Sequence, residues 1–201
     1  MPLSSGEFTN IEPDAKIFVE EAEQILDGFR LGEKIFASGF RPTFIVGLWR
    51  GGSAVGIVVQ ECLATLGVST DHIALRTSYA GPEQYQAEAA SQQPIRVHGK
   101  RYLLENLSAD DRLLIVDDVY SSGRHTQAVI DQLAAGLKRN MPNDIRVAAL
   151  WYRPGGAAAP DYYLHETRHW LVLPYELSGL TREEIAEHKP FLLPMIDRGQ
   201  G

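Results

Sequence analysis

The chain has 201 residues, with 19 Lys and Arg against 26 Asp and Glu, a formal charge of −7 and one cysteine. With 44% hydrophobic and 22% charged residues it can bury enough apolar surface to fold, which excludes general disorder. Compared with a typical domain of roughly 150 residues, this length predicts one domain with an additional segment. A single cysteine excludes an internal disulfide, and no export signal or membrane-length apolar run is visible, so we expect a cytoplasmic protein.

The first part of the chain predicts helix, strand and helix in succession. Apolar residues at helical spacing predict one or two amphipathic helices over 14–38. An apolar, β-prone run at 43–48 follows, and a glycine turn leads from it into a helical stretch at 53–66. After a further short strand at 71–76, the segment 77–97 is rich in Gly, Pro, Gln, Ala and Ser. A long loop of this kind is typical of a functional or disordered segment.

A second strand–turn–helix unit is the clearest in the chain. A buried strand, a polar turn, a helix and another strand are predicted over 113–116, 117–123, 126–137 and 145–151. Apolar strands that alternate with helices indicate parallel βαβ units and a sheet covered on both faces. We therefore predict an α/β fold with its core at 40–151 and a small appended β layer at 152–178, all within one domain over 1–201.

Ligands of open α/β sheets bind beyond the carboxyl ends of the strands, and three predicted loops reach that edge. In one of them, Asp117 and Asp118 suit paired hydroxyls or a divalent cation, and Ser121-Ser122-Gly123 at a helix start suits a phosphate. A diol together with a phosphate describes ribose 5-phosphate. Taken separately, an Asp-Asp pair more often stabilises a turn, and Ser-Ser-Gly more often forms an ordinary helix N-cap.

The combination is more specific than its parts. The run Leu113-Leu-Ile-Val-Asp-Asp-Val-Tyr-Ser-Ser-Gly-Arg-His125 resembles the phosphoribosyl pyrophosphate signature of the type I phosphoribosyltransferases. The resemblance implies their fold, a mostly parallel sheet flanked by helices with a small hood subdomain. It also implies that Asp117 and Asp118 bind the ribose hydroxyls and, through water, Mg²⁺. The 5′-phosphate would be held by Ser121, Ser122, Gly123, Arg124 and His125.

Two other loops agree with this family. Gly47-Leu-Trp49-Arg50-Gly51-Gly52 resembles its pyrophosphate loop, whose amides approach the diphosphate closely, and it matches neither the P-loop nor the dinucleotide pattern. The resemblance predicts a non-proline cis peptide at Trp49–Arg50. Ser78-Tyr79 resembles the start of the mobile catalytic loop of 6-oxopurine members, where a lid excludes water from the activated ribose. The alternative for this segment is a disordered surface loop.

The region 151–176 resembles the hood of the xanthine-guanine group. The resemblance implies that Trp170 stacks on the purine, that Leu171 presents backbone groups to the ring edge and that Arg153 donates to the exocyclic O6. Without the family, Trp170 would be assigned to the core. The chain departs from the 6-oxopurine pattern in having Ser121 in place of an Asp, Arg153 in place of a Lys and His125 in place of a Thr.

The function implied by the resemblance is Mg²⁺-dependent transfer of ribose 5-phosphate from phosphoribosyl pyrophosphate to hypoxanthine, guanine or xanthine. The residues expected to be catalytic are Asp117, Asp118, Ser121 and Arg50. Another base remains an alternative, because Ser121 resembles the small residues of adenine and orotate enzymes. A regulator that binds nucleotide and RNA is a second alternative, because Ser-Gly-Arg resembles the phosphate loop of the pyrimidine-operon attenuator, and a degenerate binding module is a third.

The expected partners are therefore small molecules, phosphoribosyl pyrophosphate and a purine base. A pI near 5.4 and scattered basic residues disfavour nucleic acid as a partner, since nucleic-acid binding usually needs a basic face. No membrane partner is expected. The family implies a homo-oligomer, either a dimer or a tetramer.

Overall fold

The computed structural model describes residues 16–77, 95–155 and 158–198. Its strands are β1 (Lys16–Phe18), β2 (Phe44–Trp49), β3 (Asp71–Thr77), β4 (Val97–His98), β5 (Arg112–Tyr120), β6 (Asp144–Tyr152), β7 (Tyr162–Glu166) and β8 (Trp170–Val172). Its α-helices are α1 (Glu21–Ala37), α2 (Gly51–Thr65), α3 (Arg101–Asn106), α4 (Arg124–Leu137), α5 (Arg182–His188) and α6 (Leu193–Arg198). Short 3₁₀ turns lie at Lys138–Asn140 and Pro190–Leu192.

The main sheet has six strands in the order β4-β3-β2-β5-β6-β7. The pairs β2–β3, β2–β5, β5–β6 and β6–β7 are parallel, and β4 is antiparallel to β3. The strand order reverses between β2 and β5, so the carboxyl ends of these two strands border a topological switch point. The predicted α/β class, with a mostly parallel sheet flanked by helices, is confirmed.

Both faces of this sheet are buried. One face packs against α1 and α2 around Leu31 and Val59, and the other packs against α4 around Val129 and Leu133. The side chains of the run 113–116 in β5 alternate between the two clusters, and all four are fully buried. A rigid strand therefore leads directly to the acidic pair that follows this run.

The prediction of helix over 14–38 is wrong at its start. Lys16–Phe18 forms β1, and α1 begins at Glu21. β1 pairs in parallel with β8 in a separate two-stranded sheet, with Lys16 opposite Trp170. The partner strand lies far along the chain, so the local apolar spacing carries no sign of the pairing.

The polar turn predicted at 117–123 is also shorter in the structure. β5 continues through the acidic pair to Tyr120, because the adjacent β6 continues equally far, with Val119 opposite Trp151. The connection to α4 is thereby reduced to residues 121–123. Both carboxylates are consequently positioned by a paired strand and not by a loose turn.

The β layer predicted at 152–178 is divided between two sheets. β7 extends the main sheet as the neighbour of β6, and β8 alone pairs with β1. The short helices α5 and α6 follow. Across the residues that the structure describes, no helix has both the length and the apolar character needed to span a membrane.

Candidate active site

A cleft with an empty volume of about 850 Å³, part of it open to solvent, lies at the carboxyl ends of β2, β5 and β6. Five separated parts of the chain form its wall. The residues predicted from sequence that line it are Trp49, Arg50, Gly51, Asp117, Asp118, Ser121, His125, Arg153, Trp170 and Leu171. The lining is completed by Leu48, Thr77, Val119, Leu173, Tyr175 and Glu176.

Some predicted residues lie beside the cleft without lining it. Gly52 is buried beneath the loop, where a Cβ would lie against the carbonyl oxygen of Val116 and 2.8 Å from the Cα of Asp117. Gly123 has a φ of 69° and precedes α4, and the Arg124 amide donates to the Ser122 hydroxyl at 3.4 Å. Ser78 and Tyr79 fall outside the described residues.

The loop after β2 turns at a cis peptide bond between Trp49 and Arg50, as predicted. α2 begins at Gly51, so the positive end of its dipole lies at the cleft. A Cβ on Gly51 would overlap the carboxylate of Asp118 and the hydroxyl of Tyr175. Glycine at this position therefore allows the loop backbone to lie directly against the acidic pair.

The acidic pair is held by the strand's own amides. Asp117 Oδ1 accepts a hydrogen bond from the Asp118 amide at 3.0 Å, and Asp118 Oδ1 accepts one from the Val119 amide at 2.8 Å. Burial, and next the negative charge of Asp118, raises the pKa of Asp117 well above its usual value. The pair therefore retains a proton more readily than two separate, solvated carboxyl groups.

Two of the lining residues that the sequence analysis missed bond to predicted site residues. The Tyr175 hydroxyl donates to Asp118 Oδ2 at 2.6 Å, and Glu176 Oε1 lies 3.5 Å from Arg50 Nη2. Burial raises the pKa of both Tyr175 and Glu176, and the charge of Asp118 adds to the effect on each. The only local signal was the Leu-Pro-Tyr-Glu run after β8. This run predicts a turn, but it does not show that the turn reaches Asp118 and Arg50.

Arg153 and Trp170 form another part of the wall. The Arg153 guanidinium carbon lies 5.6 Å from the centroid of the Trp170 ring, and Arg153 Nη2 donates to the His169 carbonyl at 3.1 Å. Leu171 beside them is 3% exposed and pairs with Ile17 of β1. An indole next to a guanidinium is suited to a planar ring with polar edges.

His125 lies in the first turn of α4, where backbone amides face the cleft. Burial, with a smaller contribution from the charge of Arg124, lowers the pKa of His125 to about 4. The imidazole is therefore neutral at pH 7. A phosphate at this helix start would meet amide and imidazole donors together with the cationic Arg124.

The donor set can be compared with the needs of Mg²⁺. Within the residues that the structure describes, no group of three or more His, Cys, Asp or Glu could hold a metal ion. Mg²⁺ keeps several waters and is commonly bound by one or two carboxylates plus substrate phosphates. The carboxylates of Asp117 and Asp118 fit an ion that binds together with an anionic ligand.

A parallel sheet with its cleft at the switch point defines the class of α/β proteins that bind ligands beyond the carboxyl ends of their strands. Within that class, the phosphoribosyl transferase domain model matches residues 21–175. The chain thus belongs to the type I phosphoribosyltransferase family, as its acidic signature predicted. No curated protein matches it in sequence.

Solved structures with the same fold include the following three proteins. A purine phosphoribosyltransferase from Pyrococcus horikoshii Ot3 has a TM-score of 0.61 and 23% identity, covering 83% of this chain and 97% of that chain. The xanthine-guanine-hypoxanthine phosphoribosyltransferase of Helicobacter pylori has a TM-score of 0.60 and 13% identity, with coverages of 81% and 95%. A hypothetical protein from Neisseria gonorrhoeae with bound ppGpp has a TM-score of 0.62 and 17% identity, with coverages of 87% and 94%. At these identities the likeness shows a shared fold.

Proposed function

We propose that this protein is a purine phosphoribosyltransferase. It transfers ribose 5-phosphate from phosphoribosyl pyrophosphate to a 6-oxopurine and releases pyrophosphate. Hypoxanthine is the leading candidate for the acceptor, followed by guanine or xanthine. The observation that carries this proposal is the convergence of the acidic pair, the Arg50 loop and the Trp170–Arg153 wall on one cleft. The purine enzymes of Pyrococcus horikoshii and Helicobacter pylori, which share the fold, support a purine as the acceptor.

The phosphoribosyl side of the cleft would hold the donor substrate. Asp117 and Asp118 accept hydrogen bonds from the ribose hydroxyls, and the amides and side chains of 121–125 bind the 5′-phosphate. Arg50 and the amides of the loop at 49–52 bind the diphosphate. Mg²⁺ held beside Asp117 and Asp118 together with the diphosphate would supply positive charge that favours release of pyrophosphate. The contribution of the protein is mainly positioning and charge stabilisation around an oxocarbenium-like transition state.

The acceptor base would lie between β8, which carries Trp170, and the end of β6, which leads to Arg153. The Trp170 indole stacks on the purine ring, and Arg153, which is always charged, donates to O6. The Ser121 side chain offers no carboxylate to take the proton from the attacking nitrogen. That proton would therefore pass to solvent or to another group of the cleft when the new bond to the anomeric carbon forms.

An assay of pyrophosphate release tests the proposal. The purified protein is given Mg²⁺, phosphoribosyl pyrophosphate and, in turn, hypoxanthine, guanine, xanthine, adenine, orotate and uracil. Turnover with a 6-oxopurine is the expected result, and turnover restricted to another base would assign a different substrate class. Absence of turnover with every base, combined with salt-sensitive RNA binding, would favour the regulator instead.

A further inference from the structure

Lys189 is a buried lysine in the C-terminal segment, beyond residue 175 where the family match ends. It is 5% exposed, and its ammonium group donates to three backbone carbonyls, those of Leu173 and Pro174 at 2.8 Å and of Glu176 at 2.9 Å. All three donor positions of the ammonium are thereby used. The contacts gather the carbonyls of a single turn around one cation.

This turn, Leu173–Glu176, is also closed by its own hydrogen bonds. The Glu176 amide donates to the Leu173 carbonyl at 2.9 Å, and Glu176 Oε2 accepts from the Leu173 amide at 3.2 Å. Three carbonyl dipoles that point at one place repel one another unless a positive charge lies between them. Lys189 therefore fixes the conformation of the turn from outside it.

The two side chains at the end of the turn reach the phosphoribosyl side of the cleft. Tyr175 donates to Asp118, and Glu176 lies beside Arg50. With the Val119 amide on its other oxygen, the Asp118 carboxylate is held by two donors and its rotation is fixed. Each carboxylate oxygen keeps a second lone pair that can accept a ribose hydroxyl.

We propose that Lys189 is a positioning residue for phosphoribosyl pyrophosphate. By holding the Leu173–Glu176 turn, it keeps Tyr175 on Asp118 and Glu176 beside Arg50, so the two donor-binding groups are oriented before substrate arrives. This inference rests on the proposed function. It also gives the C-terminal segment a role in the cleft, although the segment lies outside the matched family domain.

Steady-state kinetics of Lys189→Met test the inference. We expect the KM for phosphoribosyl pyrophosphate to rise about tenfold, because a misoriented carboxylate and guanidinium bind it less well. kcat and the KM for the purine should change less than about threefold, since the three carbonyls that Lys189 holds belong to the Leu173–Glu176 turn and not to Arg153 or Trp170. Calorimetric titration of phosphoribosyl pyrophosphate with Mg²⁺ should show the same loss without any turnover.

Lys16→Met is the matched control. Lys16 also bonds the C-terminal segment, through Glu184 at 2.6 Å and the Gly179 carbonyl at 3.2 Å, but it does not contact the turn. Its substitution should leave the KM for phosphoribosyl pyrophosphate within about twofold of the wild-type value. An equal rise in both variants would mean that only general anchoring of the segment matters, which overturns the proposal.

A double-mutant cycle distinguishes a positioning role of Lys189 from a merely structural one. In a Tyr175→Phe, Glu176→Gln background, Lys189→Met should raise the KM by less than about twofold, because the groups through which it acts are already removed. Independent, additive effects would contradict the proposal. If Lys189→Met does not fold, Lys189→Gln is measured in its place against the same criteria.

Failure of the proposed function would look different. In that case the wild-type protein itself neither binds phosphoribosyl pyrophosphate nor releases pyrophosphate with any base. If the wild type turns over while the lysine variant keeps its KM for phosphoribosyl pyrophosphate, the role of Lys189 alone is refuted. A purine KM that rises as much as the donor KM would also refute it.

Discussion

Asp117 is a carboxyl group at the buried end of a strand, next to a second carboxylate. Its raised pKa means that the folded protein binds the proton more tightly than the unfolded chain does. The associated stability is present below the unfolded pKa, near 3.9, and is lost as the pH rises through the higher folded pKa. Ionising Asp117 in the folded protein therefore costs stability, which is consistent with a binding role.

We predict that Asp117→Asn removes this pH dependence. The variant should gain stability relative to the wild type as the pH rises from 4 to 8, because an amide loses no proton. Its pyrophosphate release should fall more than about 100-fold, and the combination with Asp118→Asn should abolish activity without unfolding the chain. Urea unfolding at several pH values, with the exposed Asp110→Asn as control, checks this. A parallel pH profile for wild type and Asp117→Asn would refute it.

His125 shows the opposite dependence. Its folded pKa of about 4 lies below the unfolded value of 6.5, so its contribution to stability is full above pH 6.5 and is lost as the pH falls through 4. We predict that His125→Gln flattens the acid side of the stability profile by an amount on the order of 3 kcal/mol. Unfolding measured between pH 7 and 4 tests this, with the exposed His98→Gln as a control that should leave the profile unchanged.

At the scale of elements, the start of α2 shows how closely the glycine loop approaches β5. At Gly51 an added Cβ would overlap the side chains of two residues of the cleft, Asp118 and Tyr175, whereas at Gly52 it would meet the backbone of β5. We predict that Gly51→Ala mainly weakens binding of phosphoribosyl pyrophosphate, while Gly52→Ala lowers the free energy of unfolding by about 1–3 kcal/mol. Titration calorimetry and urea unfolding separate the two effects.

Ser53→Ala, one residue further along the same helix, is the control for both variants. It adds no atoms, and alanine is a good helix former. It should therefore preserve both stability and binding. Equal stability losses in Gly51→Ala and Gly52→Ala would mean that the distinction between side-chain contact and backbone contact is wrong.

On the scale of the whole molecule, the small sheet that carries Trp170 is assembled from distant parts of the chain. β1 pairs with β8, and the Phe18 ring stacks on His188 of α5 with centroids 3.6 Å apart. We predict that Phe18→Ala lowers the free energy of unfolding by about 2 kcal/mol and raises the KM for the purine, because β8 carries Trp170. Phe191→Ala, at a ring that is 69% exposed, should change neither quantity. Unfolding and kinetics of the two variants, compared side by side, provide the check.

The charge of −7 is also a property of the whole molecule. It does not prevent the cleft from accepting a polyanion, because the candidate donors are amides, hydroxyls and a few cations placed locally. The candidate residues at 49–52 and 117–125 include two arginines, Arg50 and Arg124. Net charge therefore informs on nucleic-acid binding but not on this small-molecule site.

The sequence by itself determined the family, the parallel sheet and most of the cleft. Apolar strand runs followed by Asp117-Asp118 or by Gly51-Gly52 are local patterns, and a parallel sheet brings their ends to one edge whatever the rest of the chain does. Arg153 and Trp170 were placed by family resemblance and not by a local rule.

Only the tertiary structure decided which segments pair with β8 and contact the acidic pair. The pairing of Lys16–Phe18 with β8 and the contact of Tyr175 with Asp118 join residues far apart in the chain. Lys189 bonds a turn that lies 13 to 16 residues before it. Such contacts form because a strand edge, a carboxylate or a set of carbonyls needs a partner once it is buried. Which segment supplies that partner depends on where the chain returns in space, and no local spacing encodes it.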